Sequence, residues 1–294
     1  MSARDAVWRE ARGPQRLLYA VALLFFASTV IHAGVYALNG GAWEGAVTWR
    51  KPIEFSLSFA IATATLAWIL GLLPARRVQD MTFAIVYGAS SVGEVGLIIL
   101  QRWRGTASHF NSATDFDVAV FSTMGVLILL ISFAVLWLAI RAFGRVASDR
   151  ATVWAVRLGL LFFVAGLGVG FLLLGEGIAQ ASAGTATSPI TVGARGMLTF
   201  PHALALHALQ VLLVLVWLAA RFGVPVERRV VLVLIASVGY LGLLAIELGQ
   251  ALGGSAPLEL APILSVGVAV SLLLIVIPLA VAILRSVQAD SRPT

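Results

Sequence analysis

The chain has 294 residues, of which 60% are apolar and 12% are charged, and its mean hydropathy is +0.98. This composition excludes a soluble globular domain and is typical of a polytopic membrane protein. There is no cysteine, which excludes disulfide bonds and thiolate metal ligands.

The apolar residues occur in eight runs of about 20 to 25 residues, each long enough to cross the hydrocarbon of a bilayer as a helix. The breaks between runs contain charged residues, Gly or Pro. We therefore predict an all-α membrane bundle of about eight transmembrane helices, in which residues 1–294 form a single integral domain of the cell membrane. The first helix is expected to be uncleaved, because its apolar stretch is longer than the core of a typical signal peptide. Numbered 1 to 8 in chain order, the predicted segments are 17–38, 54–74, 81–101, 117–140, 153–176, 201–220, 229–249 and 261–284.

The basic residues are distributed unequally between the two sides of this bundle. With the N-terminus in the cytoplasm, 15 of the 20 Lys and Arg residues fall on the cytoplasmic side and 5 on the other. The positive-inside rule therefore places both termini in the cytoplasm. The net charge of +6 is a consequence of this topology, and no nucleic-acid partner is needed to explain it. The five outer basic residues are Arg50, Lys51, Arg102, Arg104 and Arg195.

The two halves of the chain share short patterns. A Leu-Leu-Phe-Phe tetrad begins at Leu23 in segment 1 and at Leu160 in segment 5. A Tyr and a Glu seven residues apart occur in segment 3 (Tyr87 and Glu94) and in segment 7 (Tyr240 and Glu247). These matches predict a parallel internal repeat of four helices each, with half-repeats 1–145 and 146–294. Chance similarity between Leu-rich helices is the alternative.

Polar side chains recur near the outward ends of the segments, and all four histidines lie in this outer half. Lipid cannot hydrogen-bond such groups, so they are expected to face one another or a wet cavity. The sequence therefore predicts a polar pocket lined by histidines and carboxylates at the extracytoplasmic side. In chain order its candidate residues are Ser28, His32, Tyr36, Tyr87, Glu94, Gln101, Glu176, Gln180, His202, His207, Gln210, Glu247 and Gln250, with Ser108, His109, Asn111 and Asp117 in or beside the loop after segment 3.

Histidines with nearby carboxylates are typical of zinc and other divalent metal sites, in which a bound water performs hydrolysis. This interpretation assigns metal ligation to His32, His109, His202 and His207. Two histidines on facing helices, such as His32 and His207, could instead ligate a haem. His202 and His207 are five residues apart, so they do not lie on one helix face as a His-x3-His pair would. The residues assigned to catalysis are Glu94, Ser108 and Asp117.

Basic and amide side chains supply candidates for substrate binding. Arg50, Lys51, Arg102 and Arg104 could hold an anionic head group or a carboxylate. Each candidate also has a structural interpretation. Glu94 and Glu247 could accept hydrogen bonds from Tyr or Ser, or pair with Arg50, Lys51 or Arg102, and Asp115 or Asp117 could cap segment 4. The residues assigned to substrate binding are Arg50, Lys51, Arg104, Asn111, Gln210 and Glu247.

Three motifs resemble those of a family of uncharacterised bacterial polytopic membrane proteins. They are Lys51-Pro-Ile-Glu-Phe-x-Leu-Ser58, Gln101-x-x-Arg-Gly-x-x-Ser-His-Phe-Asn-x-x-Thr114 and Pro201-His-x-x-x-Leu-His-Ala-Leu-Gln210. The resemblance implies an eight-helix type of membrane fold and brings no known activity with it. The chain departs from the family pattern at Glu54, where the family has a second basic residue. The residues that the resemblance picks out are Arg104, His109, Asn111, His207 and Gln210.

A looser resemblance connects Ser108, His109, Asp115 or Asp117, and the two histidines of segment 6 with seven-helix membrane hydrolases that hold zinc by three histidines. Four interpretations remain open. They are a metal-dependent membrane enzyme acting on a lipid or amphipathic substrate, a proton- or cation-coupled transporter or sensor, a haem- or quinone-binding redox protein, and a structural or assembly subunit that binds further membrane subunits or copies of itself.

Overall fold

A computed structural model describes residues 11–185, 189–257 and 259–290, with side chains described as far as residue 282. Eight α-helices run through these residues, and all eight are long and apolar enough to span a membrane. The predicted all-α membrane fold is therefore confirmed. The helices are α1 (Gly13–Asn39), α2 (Arg50–Leu72), α3 (Arg77–Trp103), α4 (Asp115–Ala142), α5 (Arg150–Ser182), α6 (Thr199–Arg221), α7 (Val226–Leu252) and α8 (Pro262–Asp290).

The chain divides into two compact units, Met1–Arg145 and Val146–Thr294. In the first unit α1 packs along α2 and α3, and α3 also contacts α2 and α4. In the second unit α5 packs along α6 and α7, and α7 also contacts α6 and α8. The division coincides with the boundary between the predicted half-repeats, while the repeat itself remains a prediction. We call the end of each unit that the positive-inside rule assigns to the outside its predicted outer end, and the opposite end its predicted inner end.

Glycines allow close contact between α5 and α6. A Cβ atom on Gly159 would lie 2.7 Å from the Cα of Leu209, and one on Gly166 would lie 3.0 Å from the backbone nitrogen of Leu206. Small residues at such positions let membrane helices approach closely enough for their backbones to touch. A Cβ on Gly168 would meet no atom within 4 Å. The α5 face that contacts α6 is therefore formed by glycines spaced at whole turns of the helix.

A buried carboxylate joins three helices at the predicted inner end of the first unit. Asp80, only 2% exposed, accepts hydrogen bonds from the guanidinium of Arg12 at 3.1 Å and from that of Arg141 at 2.5 Å. The backbone N–H of Arg76 donates to the same carboxylate at 3.0 Å, and Arg141 also donates to the carbonyl of Pro74. The ends of α1, α3 and α4 are thus held by one ion-pair network.

Replacing Gly159 with Ala is expected to destabilise the protein by about 2 kcal/mol, because the added methyl group overlaps the backbone of Leu209 and α5 must move away from α6. Thermal unfolding in detergent measures the effect. Gly168→Ala is the matched control, since its methyl group would enter open space on the same helix. Equal melting temperatures for the two variants would contradict the close-packing assignment.

Asp80→Asn is expected to lower the free energy of unfolding by about 3 kcal/mol, because it leaves two guanidinium groups without their shared counter-ion. Asp115, exposed in the first turn of α4, provides the control Asp115→Asn, which should change the melting temperature little. The prediction fails if the two Asn variants unfold at the same temperature in detergent.

Candidate functional site

His32 lies on α1 at the predicted outer end of the first unit and is 5% exposed. Its Nδ1 is 2.7 Å from the carbonyl oxygen of Ser28, and its Nε2 is 3.3 Å from the indole nitrogen of Trp103. An indole can only donate, so Nε2 accepts and Nδ1–H donates to Ser28. Both ring nitrogens therefore have protein partners, and this geometry does not fit a metal or haem ligand.

Two tryptophans surround this histidine. The rings of Trp49 and Trp103 pack edge to face with their centroids 5.0 Å apart, and the His32 ring lies 6.0 Å from that of Trp49. The guanidinium of Arg102 stacks over Trp49 at 3.8 Å. The rings of Trp49 and Trp103 therefore order His32 and Arg102.

Asp117 accepts hydrogen bonds from three side chains, and these bonds hold the loop between α3 and α4 in place. Its Oδ1 accepts from Gln101 Nε2 at 2.8 Å and from Arg104 at 2.7 Å, and its Oδ2 accepts from the hydroxyl of Thr114 at 2.8 Å. These partners are all within the first unit. The helix cap is Thr114, whose extended backbone lets its hydroxyl accept from the backbone N–H of Asp117. The prediction that Asp115 or Asp117 caps α4 was therefore wrong.

The loop that carries His109 has a specific conformation. Gly105 and Phe110 both have positive φ angles, of 72° and 54°, and the latter is uncommon for a residue other than glycine. Asn111 forms an Asx turn by accepting from the backbone N–H of Ala113, and its amide donates to Thr106 Oγ1. Asn111 therefore orders the loop.

His109 itself is half-buried among the rings of Phe55, Phe110 and Phe121. Its Nδ1 lies 2.9 Å from the hydroxyl of Ser108. Burial disfavours the imidazolium, and the nearby ammonium of Lys51 repels it, so the pKa of His109 falls to about 3. The ring is consequently neutral at physiological pH. The Ser108–His109 contact resembles a nucleophile–base pair, but the described residues place no carboxylate against the ring.

The other two histidines lie on α6 in the second unit. Nδ1 of His202 is 2.7 Å from the carbonyl oxygen of Gly166, which only a protonated nitrogen can bond, and its ring lies against Gly170. His207 is half-buried. Turned so that its nitrogen donates, the amide of Gln210 reaches the carbonyls of Leu206 and His207 at 3.1 and 3.2 Å. His202 and Gln210 therefore bond helix backbone.

The predicted metal site receives no support from this arrangement. His32 and His109 belong to the first unit, and His202 and His207 to the second. No group of three His, Asp or Glu residues stands close enough within either unit to hold a metal ion, over the part of the chain that the structure describes. The positions of these residues along their helices were predictable from the sequence, but their partners were not.

Glu94 and Glu247 lack the hydrogen-bond partners that Asp80 and Asp117 have. Glu94 on α3 is 4% exposed and Glu247 on α7 is 2% exposed, yet neither carboxyl has a hydrogen bond or an ion pair with any residue of the described ranges. The hydroxyl of Tyr87 lies 3.3 Å from that of Thr63 on α2, and no hydrogen bond joins it to Glu94. The predicted pairing of these glutamates with Arg50, Lys51 or Arg102 is absent from the same ranges. Arg50 instead lies 3.9 Å from Glu54.

Two cavities lie near candidate residues. An open one of about 570 Å³ in the second unit is lined by Gln250, Ser255 and Glu259, with apolar residues of α7 and α8. A much smaller one of about 10 Å³ in the first unit is lined by Lys51 and Ser108, with Thr48, Arg102 and Thr106. Thr48 and Thr106 were not predicted as site residues. Asp80 was also missed, because the two guanidinium groups that bond it belong to Arg12 and Arg141, which are more than 60 residues away in the sequence.

No protein-family model matches the chain, and no curated protein or solved structure matches it either. The resemblance to bacterial polytopic membrane proteins therefore remains a prediction that rests on the three motifs.

His109 is expected to make stability fall as the pH is lowered. Above about pH 6.5 the ring is neutral in both states, but below it the unfolded chain binds a proton that the folded protein accepts only near pH 3. The free energy of unfolding therefore decreases as the pH falls through 6.5, and less so in His109→Gln. Melting temperatures in detergent from about pH 7.5 to about pH 4.5 measure this slope. Parallel slopes for both proteins would contradict the lowered pKa.

Proposed function

We propose that this integral membrane protein is a proton- or cation-coupled transporter or sensor in which Glu94 and Glu247 bind the coupling ion. The observation that carries the proposal is the burial of one glutamate in each unit without a partner among the described residues. The spans themselves support an integral membrane protein, since all eight helices are long and apolar enough to cross a bilayer.

An ionised carboxylate is costly at such a position. Glu94 lies nine residues before the end of α3, about 14 Å along the helix axis, which is near the middle of a hydrocarbon layer of roughly 30 Å. A charge there costs about 3 kcal/mol or more unless it is paired. The carboxyl group therefore holds a proton or a bound cation in the resting protein. Its ionisation becomes favourable only when water, a cation or a moving cationic side chain reaches it.

Further side-chain oxygen atoms occur near each glutamate in the sequence. The hydroxyl of Ser91, three residues before Glu94 and so on the same side of α3, is buried beside that of Tyr87. The side-chain oxygen of Gln250, three residues after Glu247, has no hydrogen-bond partner. Hydroxyl, amide and carboxylate oxygens are ligands for hard cations and acceptors for a hydrated proton. Each unit thus supplies two oxygen-bearing side chains on one face of a helix for an ion.

The metal-dependent enzyme interpretation has weaker support. His32 uses both ring nitrogens, Nδ1 of His202 bonds Gly166, and both oxygens of Asp117 accept hydrogen bonds from neighbouring side chains. The haem interpretation is weakened for the same reason, because it needs a ring nitrogen of His32 that is free to bind iron. The structural or assembly interpretation explains Asp80 and Asp117 well, but it leaves the two unpartnered glutamates without a role.

Proton movement into liposomes tests the proposal. We expect purified protein reconstituted with an internal pH dye to conduct protons under an imposed potential, and Glu94→Gln and Glu247→Gln to lose most of this flux. Infrared spectroscopy of the same samples should show the protonated carboxyl band diminished in each variant, because Gln has no acid group. Uptake of radioactive sodium distinguishes a cation from a proton as the coupling ion.

Glu44→Gln is the matched control, because Glu44 is exposed in the segment between α1 and α2. It should conduct as the unchanged protein does. Flux equal in all four proteins, or no flux of either ion in any of them, would refute the coupling role of the two glutamates.

A further inference from the structure

A small polar cavity lies at the predicted outer end of the first unit. Its polar lining consists of Thr48 and Lys51 at the start of α2, Arg102 near the end of α3, and Thr106 and Ser108 in the loop that follows. The rest of the lining is apolar. The proposed coupling role of the glutamates does not involve these residues, so the cavity is a separate feature of the unit.

The cavity carries unbalanced positive charge. The ammonium of Lys51 and the guanidinium of Arg102 form no ion pair with any acidic residue in the described part of the chain. Arg102 stacks on Trp49, which orients the guanidinium but does not neutralise it. No acidic side chain lines the cavity, again among the residues described. Two cations that share a confined site repel each other unless an anion lies between them.

Hydrogen-bond donors in the same cavity lack acceptors. Thr48 is 1% exposed and its hydroxyl has no partner. Nε of Arg102 is also buried without one. The first backbone N–H groups of α2, at Arg50 and Lys51, have no carbonyl to bond within their helix and give this end a partial positive charge. Buried donors without acceptors are rare in folded proteins, and here they line a space that can hold an acceptor.

The volume of the cavity limits the size of the anion that it can bind. The cavity has a volume of about 10 Å³, which is room for one particle of about the size of a water molecule. Phosphate, sulfate and carboxylate groups are several atoms wide and do not fit inside. We infer that this cavity is a binding site for a single halide ion, chloride under physiological conditions, held by Lys51, Arg102 and the hydroxyl of Thr48.

Equilibrium binding of radioactive chloride to detergent-purified protein tests this inference. We expect saturable binding of about one chloride per chain that bromide displaces and that phosphate does not. Thr48→Val should weaken binding about tenfold, which corresponds to the loss of one hydrogen bond to a charged group. Lys51→Gln should abolish it in the measurable range. Neither change alters Glu94 or Glu247, so the outcome is independent of the proton-flux measurement.

Two control variants separate the site from general effects. Thr65→Val removes a hydroxyl that bonds its own helix on α2, and Arg76→Gln removes an exposed cation at the predicted inner end. Both should bind chloride as the unchanged protein does, and size-exclusion profiles show whether each variant remains folded. No saturable chloride binding, binding displaced by phosphate as readily as by bromide, or unchanged affinity in Thr48→Val and Lys51→Gln would each overturn the inference.

Discussion

Hydrocarbon offers no hydrogen bonds, and this constraint governs which polar residues the chain can place within its helices. Several hydroxyl groups satisfy this constraint within their own helix. Thr29, Thr65, Thr123, Ser132 and Ser237 each donate to the carbonyl four residues earlier on the same helix. Such bonds need no second helix, so these residues carry no information about a site. The informative side chains are those that must find a partner elsewhere and those that find none.

The same constraint explains what the sequence could predict. Apolar runs long enough to cross a bilayer have no alternative to the helix, and the eight helices follow from them. Their ends are less certain, because polar residues can continue a helix beyond the apolar run. The run predicted to start at 54 begins as a helix at Arg50, and the one predicted to end at 176 continues to Ser182. In α5 the continuation includes a hydrogen bond from Gln180 to Glu176, which helical spacing permits.

The partners of the candidate site residues were not predictable from the sequence. Spacing along a helix assigns His32 to the outer half of α1, but only tertiary packing brings the indole of Trp103 to its Nε2. Similarly, Asp117 and Arg104 are thirteen residues apart and meet because the loop between them folds back. The prediction of a single site that contains all four histidines rested on their similar positions along the helices. In the structure, each histidine nitrogen that has a partner bonds a residue of its own unit.

Compensation of charge separates structural from functional acidic residues in the first unit. Asp80 and Glu94 lie on one helix and are equally inaccessible, yet Asp80 is bonded by two guanidinium groups and Glu94 by none. A compensated carboxylate holds together the helices around it, whereas an uncompensated charge within the hydrocarbon layer is costly. A neutral Glu94 cannot balance Lys51 and Arg102, whose charge persists whatever the state of the glutamate. The ion site proposed at Glu94 on α3 and the anion site proposed at the start of α2 are therefore two consequences of the same unbalanced distribution of charge.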